Sequence, residues 1–271
     1  MPELPEVEVT RRGIAPHVEG RVITGLVVRN HALRWPVDPT LPKVLKGLRI
    51  ARTQRRAKYL LLDCGRGWLI IHLGMSGSLS VLNRGAPPRL HDHIDLELDS
   101  GELLRLHDPR RFGAFLWTQA LPAEHELIAH LGPEPFDAQV TGTWLRAQLK
   151  GRKAPVKNLL MDTRLIVGVG NIYASEALFH ARVRPGRAGG RVTLAECHRL
   201  IAAIQATLAK AIEAGGSTLR DFVGADGSSG YFQQTHFVYD RAGAPCRVCG
   251  HAIKLARFSQ RSTYYCSYCQ Q

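Results

Sequence analysis

Four cysteines near the C-terminus constrain this chain more than any other feature. They stand as Cys246-x-x-Cys249 and, after a spacer of sixteen residues, Cys266-x-x-Cys269. Each Cys-x-x-Cys pair forms a knuckle that turns two thiolates toward one point, and two knuckles complete a tetrahedron around one ion. The competing arrangement is a pair of disulfides. The N-terminus, Met1-Pro2-Glu3-Leu4-Pro5-Glu6, has no apolar core of a secretory signal, so a reducing compartment is expected. The spacing then predicts one structural zinc ion (Zn2+), since four thiolates leave no open coordination position for catalysis. Cys64 and Cys197 fall in apolar periodic stretches and read as small core residues.

A knuckle pair occupies only the end of 271 residues. The rest suffices for two modest domains. Residues from about 20 to 118 read mostly as strands: 21–30, 58–63 and 68–73 are β-branched or apolar, and 93–99 alternates Ile94, Leu96 and Leu98 with Asp95, Glu97 and Asp99. Ser100-Gly101 then turns the chain into 102–107, as in a hairpin. Short strands without intervening helices point to a sandwich or barrel. One helix precedes them, with Pro5 in its first turn and Val9, Ile14 and Val18 expected to face the sheet. The pattern changes at Leu131-Gly132-Pro133-Glu134-Pro135, a break taken as the domain boundary. Beyond it Leu194, Cys197, Ile201, Ile204, Leu208 and Ile212 form a helical stripe that Gly215-Gly216 ends, and a shorter helix is expected over Asn171–His180. The stretch 224–230 is a polar, Gly-rich loop.

Lys and Arg number 36 against 23 Asp and Glu, a formal charge of +13. No apolar run approaches the roughly 20 residues of a membrane span, and the partner such a charge suggests is a polyanion, nucleic acid first. Pro2 follows the initiator Met. Trimming of Met1 would expose a secondary amine, which attacks an electrophilic carbon and yields an iminium, an electron sink that needs no proton on nitrogen. Glu3 and Glu6 lie within one turn of it, as acid and base would; the bland alternative is a helix that starts with Pro and Glu. Arg55-Arg56-Ala57-Lys58 opens a strand, and alternation sends Arg56 and Lys58 to one face. Asp108-Pro109-Arg110-Arg111-Phe112-Gly113 carries two guanidiniums and an aromatic ring in a turn, a wedge for DNA or a hairpin with Phe112 packed inward. Met75 stands between glycines in His72-Leu73-Gly74-Met75-Ser76-Gly77. His91-Asp92-His93 lacks a third ligand and reads as strand-edge polarity, not a metal pair. Gly168-Val169-Gly170-Asn171 lacks the Lys-Ser/Thr of a nucleotide loop, yet a glycine turn opening a helix offers N–H groups to a phosphate, and Lys150, Arg152, Lys153 and Lys157 cluster upstream.

Six segments in order resemble the formamidopyrimidine-DNA glycosylases, bacterial enzymes that remove oxidised purines such as 8-oxoguanine. They are 1–8, 55–60, 72–77, 108–113, 168–176 and the four-cysteine end. The resemblance implies an α+β multidomain chain: an N-terminal β-sandwich with flanking helices over 1–132, a helix–two-turn–helix domain over 133–235 and a zinc finger over 236–271. It implies Pro2 as nucleophile at deoxyribose C1′, Glu3 as acid/base at the sugar, Lys58 as proton donor in β-elimination and Arg261 as the phosphate-binding residue of δ-elimination. Met75, Arg110 and Phe112 would fill the gap left by the flipped nucleotide. His91, Arg110, Arg152, Lys157 and Asn171 would hold phosphates, and 217–239 would close over the everted base. The zinc would sit on Cys246, Cys249, Cys266 and Cys269.

The departures are few. Thr163 replaces a common Gln, Arg152 a common Lys, and the chain ends in Gln270-Gln271 without a basic tail residue. The partner expected is damaged double-stranded DNA, bound by a monomer without nucleotide cofactor or membrane. The expected location is the bacterial cytoplasm, at the nucleoid when on DNA. Two rivals remain: an endonuclease VIII-type enzyme for oxidised pyrimidines, and a non-catalytic zinc-containing DNA-binding protein.

Overall fold

Strong β-formers separated by tight turns build the first half of the chain. The computed structural model describes residues 2–216 and 236–271, which divide into two compact units. The first comprises the described residues up to His130 with 214–216, and the second comprises Leu131–Glu213 with 236–271. The split falls at 130/131, two residues before the expected 132/133, and the cysteine-bearing end clusters with the helices. The 224–230 loop and the 217–235 part of the expected closing loop lie outside the described residues.

In the first unit, helix α1 (Leu4–Val18) precedes strand β1 (Ile23–Val28), short helix α2 (Leu41–Leu45) and strands β2 (Arg52–Arg56), β3 (Tyr59–Asp63) and β4 (Trp68–His72). Then come β5 (Ser78–Asn83), β6 (Asp92–Leu98), β7 (Glu102–His107) and β8 (Ala114–Thr118). Two antiparallel sheets result, ordered β1-β6-β7-β5 and β2-β3-β4-β8. Their inner faces meet through Leu60, Leu62, Leu69, Ile71, Ile94, Leu96, Leu104, Leu106 and Phe115, all at most 1% exposed. The face of α1 that joins them is Val7, Ile14 and Val18. Val9, expected there, is only half-buried, because a 3.6-residue turn carries Val7 to the sheet instead. The polar face of β6 and β7 is sealed in part. Arg105 lies 2.7 Å from Asp95, which Arg29 just past β1 also meets, so this acid pairs inside the sheet, whereas Glu97 is half-buried and Asp99 faces water.

The second unit contains helices α3 (Gly142–Leu149), α4 (Val156–Leu160), α5 (Asn171–His180) and α6 (Leu194–Glu213), then hairpin strands β9 (Lys254–Phe258) and β10 (Arg261–Tyr265). Helix α6 buries Cys197, Leu200, Ile201, Ile204 and Leu208, whereas Leu194 at its start is 46% exposed. Gly215 and Gly216, both at positive φ, follow the helix end. No helix among the described residues is long and apolar enough to cross a membrane.

Candidate active site

The N-terminal residues are locked into a helix start. Glu3 precedes α1 with extended backbone, and its N–H donates to Glu6 Oε2 at 2.8 Å in a reciprocal capping box. Both acids are nearly sealed, at 2% and 0% exposure, and Pro2 beside them is buried. Capping sets Glu6 as the residue that fixes the Glu3 backbone, one step from the Pro2 nitrogen.

Polar ties then align this helix with β2. Glu19 Oε1 accepts from the Thr53 N–H at 2.7 Å and its hydroxyl at 2.6 Å, while Arg55 Nε lies 3.4 Å from Glu8 Oε2. The C-terminal end of α1 thus faces Thr53 and its N-terminal half faces Arg55, so helix and strand run antiparallel. Following both outward carries Pro2 and the residues after Arg56 to the same end of the sandwich.

Those residues are a turn. Arg56 pairs with Tyr59, leaving Ala57 and Lys58 as a two-residue hairpin loop, with Ala57 at φ 54°. Positive φ at the first central position marks a II′ turn, where glycine is usual. Arg55 Nη1 donates to the Ala57 carbonyl at 3.0 Å. Lys58 is therefore not a strand residue sharing the Arg56 face, as alternation predicts; the turn sets its direction. Burial, helped by the charges of Lys58 and Arg34, holds the nearby His72 imidazole down at about 4. His72 is neutral at pH 7, and its Nδ1 accepts the Gly74 N–H at 3.0 Å.

The strand that ends at His72 leads into the turn carrying Met75. A Cβ at Gly74 would lie 2.6 Å from both Phe112 C and Gly113 N, and Gly74 has φ +63°. Only glycine permits this approach, which sets the Met75 turn directly against Arg110-Arg111-Phe112-Gly113. Met75 and Phe112 are each 38% exposed, and the Arg110 guanidinium lies over the Phe112 ring at 4.9 Å. Phe112 is thus not packed inward. His91, half-buried at φ 74°, accepts the Asp108 N–H at its carbonyl, 3.0 Å away. Its ring lies edge-on to His93 and His107, each 6.1 Å away, and no metal cluster includes it among the described residues.

In the second unit Arg152 is exposed beside Gly151, which has φ +73°. Asn171 opens α5, and its Oδ1 is buried without a hydrogen-bond partner. A 180° rotation of the amide would present Nδ2 donors there instead. Lys157, expected as a phosphate contact, is turned inward. It is 1% exposed, and its ammonium donates to Ser262 O at 3.0 Å and Thr263 Oγ1 at 2.9 Å. Neighbouring Asn158 donates to Ser259 Oγ at 2.8 Å. Helix α4 therefore supports the β9–β10 turn, where Ser259 and Gln260 both have positive φ, at 46° and 62°. That is a I′ turn without glycine, strained at both central positions. Exposed Arg261 is the first residue after it.

The four cysteine sulfurs lie within 4.8 Å of one another. A tetrahedron with Zn–S of about 2.3 Å needs sulfurs about 3.8 Å apart, and Cys246–Cys269 at 3.9 Å and Cys249–Cys266 at 3.4 Å bracket that spacing. The donor set fits one structural zinc, closed to substrate.

Sequence reasoning missed Asp108, Asn158 and Glu176 as organising residues. Glu176 lies in a helix otherwise buried by Ile172, Tyr173, Ala174, Ala177, Leu178 and Phe179. Its carboxylate accepts the N–H groups of Phe237, Val238 and Tyr239 at 2.8–3.0 Å. Burial pushes its pKa up, and the three N–H donors oppose that shift. A lone acid in a mostly apolar helix was the available signal, since buried acids are nearly always paired.

Three family models match in chain order. The formamidopyrimidine-DNA glycosylase N-terminal domain covers 1–115, its H2TH domain 131–223, and a zinc finger found in FPG and IleRS 243–271. A formamidopyrimidine-DNA glycosylase of Ralstonia pickettii is 54% identical, and one of Methylococcus capsulatus also 54%, each over the full length of both chains. Among solved structures, the MutM (Fpg) protein of Thermus thermophilus is 39% identical with a TM-score of 0.89, covering 99% of this chain and 98% of that one. Lactococcus lactis Fpg in complex with DNA containing an abasic site is 32% identical, with a TM-score of 0.91 and 99% coverage of both chains.

Proposed function

Because the chain belongs to the formamidopyrimidine-DNA glycosylase family, we propose that it is a bifunctional glycosylase and abasic-site lyase that excises 8-oxoguanine and formamidopyrimidines from duplex DNA. The observation that carries the reading is the antiparallel tie of α1 to β2, which sends Pro2 and the Lys58 turn to one end of the sandwich. After removal of Met1, the Pro2 nitrogen lone pair attacks C1′. The C1′–N bond breaks, the base leaves with its electron pair, and sugar-ring opening gives the iminium. Glu3 exchanges protons with the sugar. Loss of a C2′ proton, drawn by the iminium, expels the 3′ phosphate in β-elimination, with Lys58 as proton donor. The 5′ phosphate, held by Arg261, leaves in the following δ-elimination.

A base in the stack is out of reach, so the nucleotide must rotate out while Met75, Arg110 and Phe112 occupy its place. Unstacking costs a few kcal/mol, which phosphate contacts from His91, Arg110, Arg152 and Asn171 offset within a +13 field. Lys157 supports the finger from inside instead. Action on DNA in the bacterial cytoplasm, at the nucleoid, fits this substrate.

Borohydride trapping on an abasic duplex tests the chemistry. Met-trimmed protein should form a covalent adduct, and Pro2→Gly should cut trapping by about 100-fold or more while sparing non-specific DNA binding. Equal loss of both would point to misfolding. Faster cleavage of thymine-glycol than of 8-oxoguanine duplexes would favour the endonuclease VIII-type reading.

A further inference from the structure

We propose that Asp108 is a positioning residue that holds the phosphate contact at His91 and the gap-filling group of Met75, Arg110 and Phe112 as one rigid part. The inference rests on the wedge reading above. Asp108 is wholly buried, at 0% exposure, between β7 and the Arg110 turn. Its side chain reaches both halves of the wedge: Oδ1 accepts the Ser76 hydroxyl at 3.3 Å, next to Met75, and Oδ2 accepts the Gly113 N–H at 2.8 Å, next to Phe112. Its backbone serves the rest. The N–H donates to His91 O at 3.0 Å, and the carbonyl accepts the Arg111 N–H at 3.2 Å and His93 Nε2 at 2.8 Å.

The surrounding backbone needs such a tie. His91 and Arg111 have φ of 74° and 56°, left-handed values that cost non-glycine residues energy and persist only when neighbours over-determine them. Gly74 and Gly113 admit no Cβ: at Gly113 one would fall 2.8 Å from His72 O and 3.0 Å from Asp108 Oδ2. Two turns are therefore pressed together, and one carboxylate accepts a donor from each. A wedge that displaces a stacked base is pushed back by the stack. A loosely held wedge gives way, whereas a preorganised one transmits its contacts to the flipped state. Asp108 accordingly governs entry of the nucleotide and leaves the amine chemistry untouched.

Single-turnover cleavage of an 8-oxoguanine:cytosine duplex, with 2-aminopurine beside the lesion reporting unstacking, is compared with borohydride trapping on a single-stranded abasic oligonucleotide, which needs no wedge. Asp108→Ala should slow duplex cleavage by about tenfold or more and suppress the 2-aminopurine rise, with single-strand trapping within about twofold. Asp108→Asn should recover most of the duplex rate, since its amide oxygen accepts the Gly113 N–H and its NH2 donates to Ser76 Oγ. Ser76→Ala, which keeps the Gly113 bond, should lose part of the duplex rate and none of the trapping. Equal loss on both substrates in Asp108→Ala and Ser76→Ala, or no loss on either, would overturn the proposal. Inactivity of the Met-trimmed wild type on both substrates would instead overturn the glycosylase reading.

Discussion

The wedge region of the sandwich and the finger hairpin of the second unit solve one problem in opposite ways. Each must present a few exposed side chains on strained backbone. Around Met75 and Phe112 the strain is held by contact: Gly74 and Gly113 let two backbones touch, and Asp108 bridges the turns with one bond to each. Around Arg261 no glycine brings two backbones together among the described residues. The I′ turn of Ser259 and Gln260 is held at arm's length by Lys157 and Asn158 of α4, and the hairpin hangs on the four cysteines. The sandwich has a large apolar core beneath its turns, so close packing is available there. The finger's own cluster is small, formed by Val238, Ile253 and the cysteines against Phe179, and a metal and long polar side chains must replace a core.

Breaking the metal site should have the largest effect. Cys249→Ala should release zinc and lower DNA affinity by about tenfold or more at fixed salt, because so small a hairpin does not hold its shape unaided. Zinc content and filter binding check this, and unchanged affinity would put the DNA contacts elsewhere. In the wedge, Gly74→Ala should cost about 3 kcal/mol, from the clash with Phe112 and Gly113 backbone plus left-handed strain. Gly151→Ala, where a Cβ meets nothing within 4 Å, should cost only about 1 kcal/mol of strain. Chemical denaturation separates the two, and equal costs would mean that contact does not hold the wedge. The smallest effect is expected at Asn158→Ala, about 1 kcal/mol. Its signature is specific: the proportion of δ- to β-elimination product should fall on an abasic duplex while trapping persists. An unchanged product ratio would show that Asn158 does not steady Arg261.

Much of this organisation was legible in the residues. The zinc site was readable from two spacings, since a knuckle needs only local sequence. Helix α5 was placed at Asn171–His180 by its glycine turn, and β7 at Glu102–His107 by the Ser100-Gly101 turn. Errors arose where register or direction mattered. Val9 lost its place on the sheet to Val7, and Lys58 moved from a strand face to a II′ turn that Ala57 forms without glycine. Lys157 was read as a phosphate grip because a basic cluster precedes the glycine turn, yet of that cluster Arg152 is exposed and Lys157 is sealed.

The sequence by itself determined the metal, the sheet-rich and helical halves, the basic surface charge and the family, because each follows from composition, short-range spacing or ordered motifs. Tertiary structure alone decided which charges face water, which glycines are contact points and what Asp108 holds. Those properties depend on segments far apart in the chain, Ser76 with Asp108 and Lys157 with Ser262, and on the burial that makes each such bond count.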